Sequence, residues 1–229
     1  MSFFKDIKGQ VRNKSIRQLV ANFRNEYLSK GISENELDDD PIDQFEKWFN
    51  ESVKNKIPEP NIMNLSTVSN DCKPSGRIVL LKGFDENGFV FYTNYDSRKG
   101  SELAENKYAA LTFLWHELYR QVRIEGTVQK ISAEESDKYF HSRPRGSQLS
   151  AVASAQSRII PDRDFLEKKV TELEKEFQDR QIPRPDNWGG FCLSPASIEF
   201  WQGRANRLHD RIQYILNEKN IWIRQRLAP

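Results

Sequence analysis

Hydrophobic positions change period as the chain proceeds. Ile42, Phe45, Phe49 and Val53 recur every three to four residues behind Asp40-Pro41, a helix cap followed by a proline suited to the first turn. This predicts an amphipathic helix over 41–54, ended by KIPEPN. From Ile62 the period drops to two. IMNLSTVS (62–69), GRIVLLK (76–82), GFVFYT (88–93), YAALTFLW (108–115) and YRQVRIEGTVQKI (119–131) are rich in β-branched and aromatic residues, as strands are. Asp85-Glu86-Asn87-Gly88 signals a hairpin turn between the second and third of these. A short helix is expected over 97–106, and Ser132 with Glu135 stands in capping-box register for another. Leu166, Val170, Leu173 and Phe177 mark a longer charged helix. ASIEFWQ (196–202), RIQYIL (211–216) and IWIRQRL (221–227) complete a set of about eight short strands.

Many strands and few helices predict a mainly β, α+β fold: a closed antiparallel barrel with helices packed outside. Residues 41–229 form that domain, and 1–40 read as an N-terminal extension with one helix around Ile16 to Tyr27. The interval 141–162 is the one long irregular stretch expected, a length often tied to function.

The 229 residues are 37% hydrophobic and 11% aromatic, enough for a sizeable core. Lys plus Arg number 35 against 33 acidic residues, so no global field draws the chain to nucleic acid or an anionic membrane. Any anion must be held by local cations. Cys72 and Cys192 stand far apart, which points to reduced thiols and a cytoplasmic setting. The first residues lack a signal-peptide pattern, and the longest apolar run, Tyr108 to Trp115, is too short to span a bilayer. A soluble protein is expected.

No glycine-rich phosphate loop is present, and the three histidines lack metal-ligand spacing, so no metal is expected. Cations instead gather at strand ends. Arg77 and Lys82 bracket IVLL, and Arg98-Lys99 follow FYTNYDS where a helix begins. There Ser97 and the free N–H groups of the first turn make a natural phosphate seat. Arg77 and Lys82 are five apart, so both reach one ligand only if the strand bends or one lies at its end. Gln121 shares a strand face with Arg123 and Glu125, either a wet outer face or a polar wall. The irregular stretch adds His141, Arg143, Arg145, Ser147, Gln156, Ser157 and Arg158, and EFWQGRANRLHDR (199–211) adds Arg204, Arg207, His209 and Arg211. Each group alone is ordinarily a solvated surface. Their joint placement at strand ends is the reason to consider a site.

RIVLLK, FYTNYDSRKG, RQVRIEG, KYFHSRPRGSQ, NWGGF, IEFWQG, RLHDR and the terminal RLAP together resemble the pyridoxamine 5′-phosphate oxidase family, in its order and approximate spacing. The resemblance runs from about Arg24 to Pro229. It implies an FMN-binding split β-barrel that dimerises, with FMN sites across the subunit interface. It implies oxidation of pyridoxamine or pyridoxine 5′-phosphate to pyridoxal 5′-phosphate, with O2 as acceptor and H2O2 released. The flavin contacts implied are Arg77, Ile78, Val79, Leu80, Leu81, Lys82, Tyr92, Thr93, Arg98, Lys99, Gln121, Gln156, Ser157, Trp201 and Arg211. The substrate contacts implied are Arg24, Tyr27, Lys82, Tyr139, Arg143, Ser147, Arg207, Leu208 and His209, with Arg207 and His209 near the reacting carbon. Arg24 and Tyr27 would bring the N-terminal extension into the substrate site.

Ser150-Ala151-Val152 stands where the family commonly reads Gly-Ala-Trp, which removes a large apolar surface before Gln156. Arg204 receives no role. Two other readings compete: a different flavin protein on the same barrel, which needs neither Arg143 nor RLHDR, and a redox-inactive anion- or RNA-binding barrel.

Overall fold

The computed structural model describes residues 16–21 and 29–229. In chain order the elements are α1 (Ile16–Ala21), α2 (Pro41–Lys54), β1 (Ile62–Val68), β2 (Pro74–Leu80), β3 (Gly83–Asp85), β4 (Gly88–Asn94), α3 (Arg98–Glu105), β5 (Tyr108–Trp115) and β6 (Arg120–Lys130). There follow α4 (Ala133–Ser142), α5 (Arg145–Ala153), α6 (Arg163–Glu176), β7 (Trp188–Gln202), β8 (Asp210–Leu216) and β9 (Trp222–Leu227).

The strands form one antiparallel sheet in the order β2-β1-β5-β6-β7-β4-β3, with β8 on β7 and β9 on β8. Its two ends meet through the chain itself. Past Leu80, the Leu81 N–H donates to Asn61 O at 2.9 Å on the β1 side, and the Lys82 N–H donates to Val90 O at 2.8 Å on the β4 side. Two adjacent residues therefore cross the seam, and the sheet curls into a barrel. Alternate side chains turn inward: Met63 and Leu65, Phe89 and Phe91, Leu111 and Phe113, Val122 and Ile124, Ile198 and Phe200 are all buried. Asp40 caps α2 by accepting from the Ile42 N–H. That helix sends Phe45 into the barrel, where its ring meets Phe84 and Phe89 edge-on at 5.0 Å and Phe113 at 5.1 Å.

Three expectations change. The turn at Asp85 to Gly88 joins β4 to the unforeseen β3, not to GRIVLLK, whose regular pairing with β1 stops at Leu80. Three residues are too few to show an alternating pattern. β7 begins at Trp188 rather than near Ala196, and its first six residues are buried without alternation. Such a strand carries no period-two signal. Its glycines are packed against: a Cβ at Gly190 would lie 2.4 Å from Ile131 Cδ1. Finally, 145–153 is the helix α5, which buries Gln148, Leu149 and Ala153. Its small, mixed residues gave little amphipathic contrast.

The end of the N-terminal extension is fastened to β8 and β9. The Ile32 N–H donates to Asp210 Oδ2 at 3.0 Å, Tyr214 Oη to Asp38 O at 2.6 Å and Arg224 Nη1 to Leu37 O at 3.1 Å. Arg226 grips Glu34 with two bonds, at 2.6 and 3.0 Å, and Asp210 with a third. The Arg226 hydrogen bond is the main reason the Glu34 carboxyl sits at about 2. Among the described residues no helix is long and apolar enough to cross a membrane.

Candidate functional site

A cleft of about 1010 Å³ opens where the barrel seam meets α3, α4 and α5. The seam contributes Arg77, Ile78, Val79, Leu80 and Lys82, β4 contributes Tyr92 and Thr93, and α3 contributes Arg98 and Lys99. Tyr139, Arg143, Ser147, Gln156 and Ser157 close the other side. The strand ends before Lys82, which resolves the conflict of faces between Arg77 and Lys82. Leu81 is the exception in that run: it is buried in the barrel core instead of lining the cleft.

One end of the cleft gathers two cations at the N-terminus of α3. Ser97 caps α3 by accepting from the Gly100 N–H, and a Cβ at Gly100 would lie 2.1 Å from the Tyr95 carbonyl oxygen. The close approach explains the glycine. Lys99 beside it is buried, yet Nζ donates only to neutral oxygens: Gln156 Oε1 at 2.9 Å, Thr93 Oγ1 at 3.1 Å and Ser97 Oγ at 3.3 Å. Burial, reinforced by the Arg77 charge and opposed by Glu102, brings its pKa down to about 8. Arg98 remains 64% exposed at the side chain while Nε donates to Glu102 at 2.9 Å. A lysine, an arginine and a helix N-terminus are a donor set that suits a phosphate.

The opposite wall is aromatic. Tyr92 of β4 and Tyr139 of α4 stack at 3.8 Å and 17°. Trp188 extends the stack, 5.6 Å from Tyr92, and the Arg143 guanidinium lies 4.7 Å above the Trp188 ring. Among the described residues the buried Arg143 Nη1 has no hydrogen-bond partner, and burial lowers the pKa of this group. An unpaired guanidinium nitrogen at a cleft wall is costly unless an anion meets it. Burial, with Tyr139 nearby, pushes the Tyr92 phenol up to about 12, so it stays a neutral donor. The cleft thus carries a second donor suited to an anion, set against the stacked rings.

The remaining candidates lie elsewhere on the same chain. Gln121, Trp201 and Arg211 are cross-strand neighbours in one row over β6, β7 and β8. Arg211 grips the buried Glu199 through Nε at 2.9 Å and Nη2 at 3.0 Å, which raises the Arg211 pKa. Leu208 and His209 line a second hollow of about 400 Å³ with Asp210, Arg226 and residues 227–229. Arg207 is exposed beside it. An extended segment would put Arg207 and His209 on one face, but the chain is not extended here. Ala205–Arg207 is a 3₁₀ turn with Asn206 at φ 57° and Arg207 at φ 60°, because the chain must reverse between β7 and β8. His209 Nδ1 accepts from the Arg204 N–H at 3.1 Å, and its ring lies 4.6 Å from Trp201. Burial and the Arg207 charge lower its pKa. Arg204 pairs with Asp210 at 3.4 Å. Arg24 and Tyr27 lie outside the described residues.

Two contributors were missed. Trp188 sat inside the quoted NWGGF without a role. Glu102 lies one helical turn after Arg98, a spacing that makes ion pairs.

A family model described as pyridoxamine 5′-phosphate oxidase matches residues 49–176, and one for the pyridoxine 5′-phosphate oxidase C-terminal dimerisation region matches 188–229. The pyridoxine/pyridoxamine 5′-phosphate oxidase of Acaryochloris marina is 53% identical over 210 residues, covering 92% of this chain and 95% of the relative. That of Salinibacter ruber is 51% identical over 212 residues, 92% and 99% of the two chains. Among solved structures, PhzG from Burkholderia lata 383, in complex with tetrahydrophenazine-1-carboxylic acid, aligns with a TM-score of 0.83 at 28% identity, covering 90% of this chain and all of that one. A pyridoxamine 5′-phosphate oxidase-related, FMN-binding protein from Nostoc punctiforme shares the fold at a TM-score of 0.65 and 15% identity, over 81% and 97% of the chains. The curled sheet is the split barrel expected from the sequence, and the chain belongs to the pyridoxamine 5′-phosphate oxidase family.

Proposed function

We propose that the protein oxidises pyridoxamine 5′-phosphate and pyridoxine 5′-phosphate to pyridoxal 5′-phosphate, with FMN as cofactor and O2 as acceptor. The observation that carries this reading is the pair of cationic groups, Arg98-Lys99 and Arg143, in one cleft also lined by stacked aromatic rings. Two phosphorylated, ring-bearing ligands fit that arrangement. Neither a simple flavin binder nor an RNA-binding barrel needs the second cationic group.

FMN, when bound, supplies the redox step, taking a hydride equivalent from the substrate and passing it to O2, which leaves as H2O2. The alcohol yields the aldehyde directly, and the amine does so with uptake of water and release of ammonia. Arg77, Arg98 and Lys99 would hold the FMN phosphate, with Thr93, Gln156 and Ser157 fixing the polar edge beside it. Lys82, Tyr139, Arg143 and Ser147 would clamp the substrate phosphate and so fix its ring.

Gln121, Trp201, Arg207, His209 and Arg211 belong to this reading through a second copy of the chain. The dimerisation region spans them from residue 188 onward, apart from Gln121, which shares a row on the sheet with Trp201 and Arg211. A homodimer would bring them to the other copy's cleft, with Arg207 and His209 toward the reacting carbon. Arg24 and Tyr27 of the extension would complete the substrate site. Two free thiols accord with a reducing cytoplasm.

The test is anaerobic. Adding pyridoxine 5′-phosphate to flavin-loaded protein should bleach the flavin absorbance, and admitting air should restore it. Flavin that stays oxidised in the presence of both phosphorylated substrates contradicts the proposal.

A further inference from the structure

Glu102 is a buried group behind the cleft lining, bonded to Ser75, Arg77 and Arg98, that the proposed chemistry does not use. It lies in α3 and is 5% exposed. Its carboxylate accepts from donors on three elements: Thr67 of β1, Ser75 Oγ of β2 at 2.6 Å, Arg77 Nη2 of β2 at 3.2 Å and Arg98 Nε of α3 at 2.9 Å. Burial by itself would raise such a carboxyl. The hydroxyls of Ser75 and Thr67 and the two arginines overcome it and hold the pKa at about 2, so the group is ionised at neutral pH.

Two consequences of that anion oppose each other at the phosphate seat. Its charge repels a phosphate. Its oxygens also fix two long cations in one orientation: Arg98 is gripped at Nε, which leaves both terminal nitrogens free of Glu102, and Arg77 is held on the β1 side through Leu65 O and Thr67. Arg98 is mostly exposed, and an unheld arginine loses considerable rotamer freedom when it binds. Orientation by a buried carboxylate removes that cost before the ligand arrives.

We propose that Glu102 is a positioning residue that presents the Arg77 and Arg98 guanidiniums to the cofactor phosphate. It sets affinity for the phosphate and leaves affinity for the flavin ring alone. This rests on the FMN reading above.

The experiment titrates apo-protein with FMN and, separately, with riboflavin, which carries the same ring without the phosphate. Wild type should prefer FMN. Glu102→Gln should bind FMN at least about tenfold more weakly, the scale of a lost charge-assisted contact, with riboflavin affinity within about twofold of wild type. Ser75→Ala, a milder change to the same network, should give a smaller loss confined to FMN, and it decides the matter if Glu102→Gln does not fold. Equal losses for both ligands would make Glu102 a structural tie between α3 and the sheet. Unchanged or tighter FMN binding would mean that repulsion outweighs orientation. Either result overturns the inference while leaving the functional reading intact. Absence of FMN binding by wild type overturns both.

Discussion

Lys99 Nζ lies 2.9 Å from Gln156 Oε1, and this contact ties the first turn of α3 to the segment that follows α5. Both residues carry the same assignment in the sequence reading, although 57 positions separate them. Among the described residues Lys99 has no carboxylate as a hydrogen-bond partner, only oxygens of Thr93, Ser97 and Gln156. It therefore sits ready to receive a negative charge.

The pH dependence of cofactor binding follows. Lys99 titrates at about 8 in the free protein because burial disfavours its ammonium form. A bound phosphate dianion favours that form and raises the pKa, so above about pH 8 binding takes up a proton. FMN affinity should then fall as pH rises through 8, with a slope approaching about tenfold per unit. Riboflavin affinity should stay flat across the same range. Fluorescence titrations from pH 7 to 10 decide it, and parallel curves for the two ligands would remove Lys99 from the phosphate seat.

Arg143 predicts a trade between stability and affinity. Its Nη1 is buried without a partner, so Arg143→Met should leave the melting temperature unchanged or higher. The same variant should keep its flavin and raise KM for pyridoxamine 5′-phosphate at least about tenfold, by loss of a charge-assisted contact. A destabilised variant with ordinary KM would make Arg143 a packing residue on Trp188.

Arg207 and His209 should separate chemistry from cofactor retention. Arg207→Ala and His209→Ala should each stay yellow and lose at least about tenfold in kcat/KM, roughly 1.4 kcal/mol. Flavin absorbance and peroxide production are measured on the same samples. Full activity in both loaded variants would return the 205–209 turn to a solvated surface, and loss of flavin would move the pair to the cofactor side.

The barrel was legible because most strands have one wet face. Val122 and Ile124 point inward while Gln121, Arg123 and Glu125 point out, and that alternation is written in the residues. It fails where both faces are buried, as at Gly189-Gly190, and where a strand is three residues long, as at Gly83 to Asp85. The gathering of Arg77, Lys82, Arg98 and Lys99 at strand ends was legible too, and they line one cleft. What held them was harder to see: Glu102 meets Thr67 and Ser75 only because β1, β2 and α3 pack together, and sequence spacing links it to Arg98 alone. The turn at Arg207 escaped because two successive left-handed residues leave little trace when neither is glycine.

The outer sheet face bears on assembly. Leu114, Ile215 and Ile223 are exposed on it, close to the row of Gln121, Trp201 and Arg211. Light scattering at micromolar concentration should report twice the 26.8 kDa chain mass. An active, flavin-loaded monomer would contradict a site shared between copies.

The most direct measurement is of products. Flavin-loaded protein in air should convert pyridoxine 5′-phosphate to pyridoxal 5′-phosphate with one H2O2 formed per aldehyde, and pyridoxamine 5′-phosphate should give the same pair plus one ammonia. Removing the substrate's phosphate should abolish most of the rate if Arg143 and its neighbours hold that group as proposed. Aldehyde formed without peroxide, no turnover of either phosphorylated substrate, or equal rates with the unphosphorylated vitamers would contradict the account.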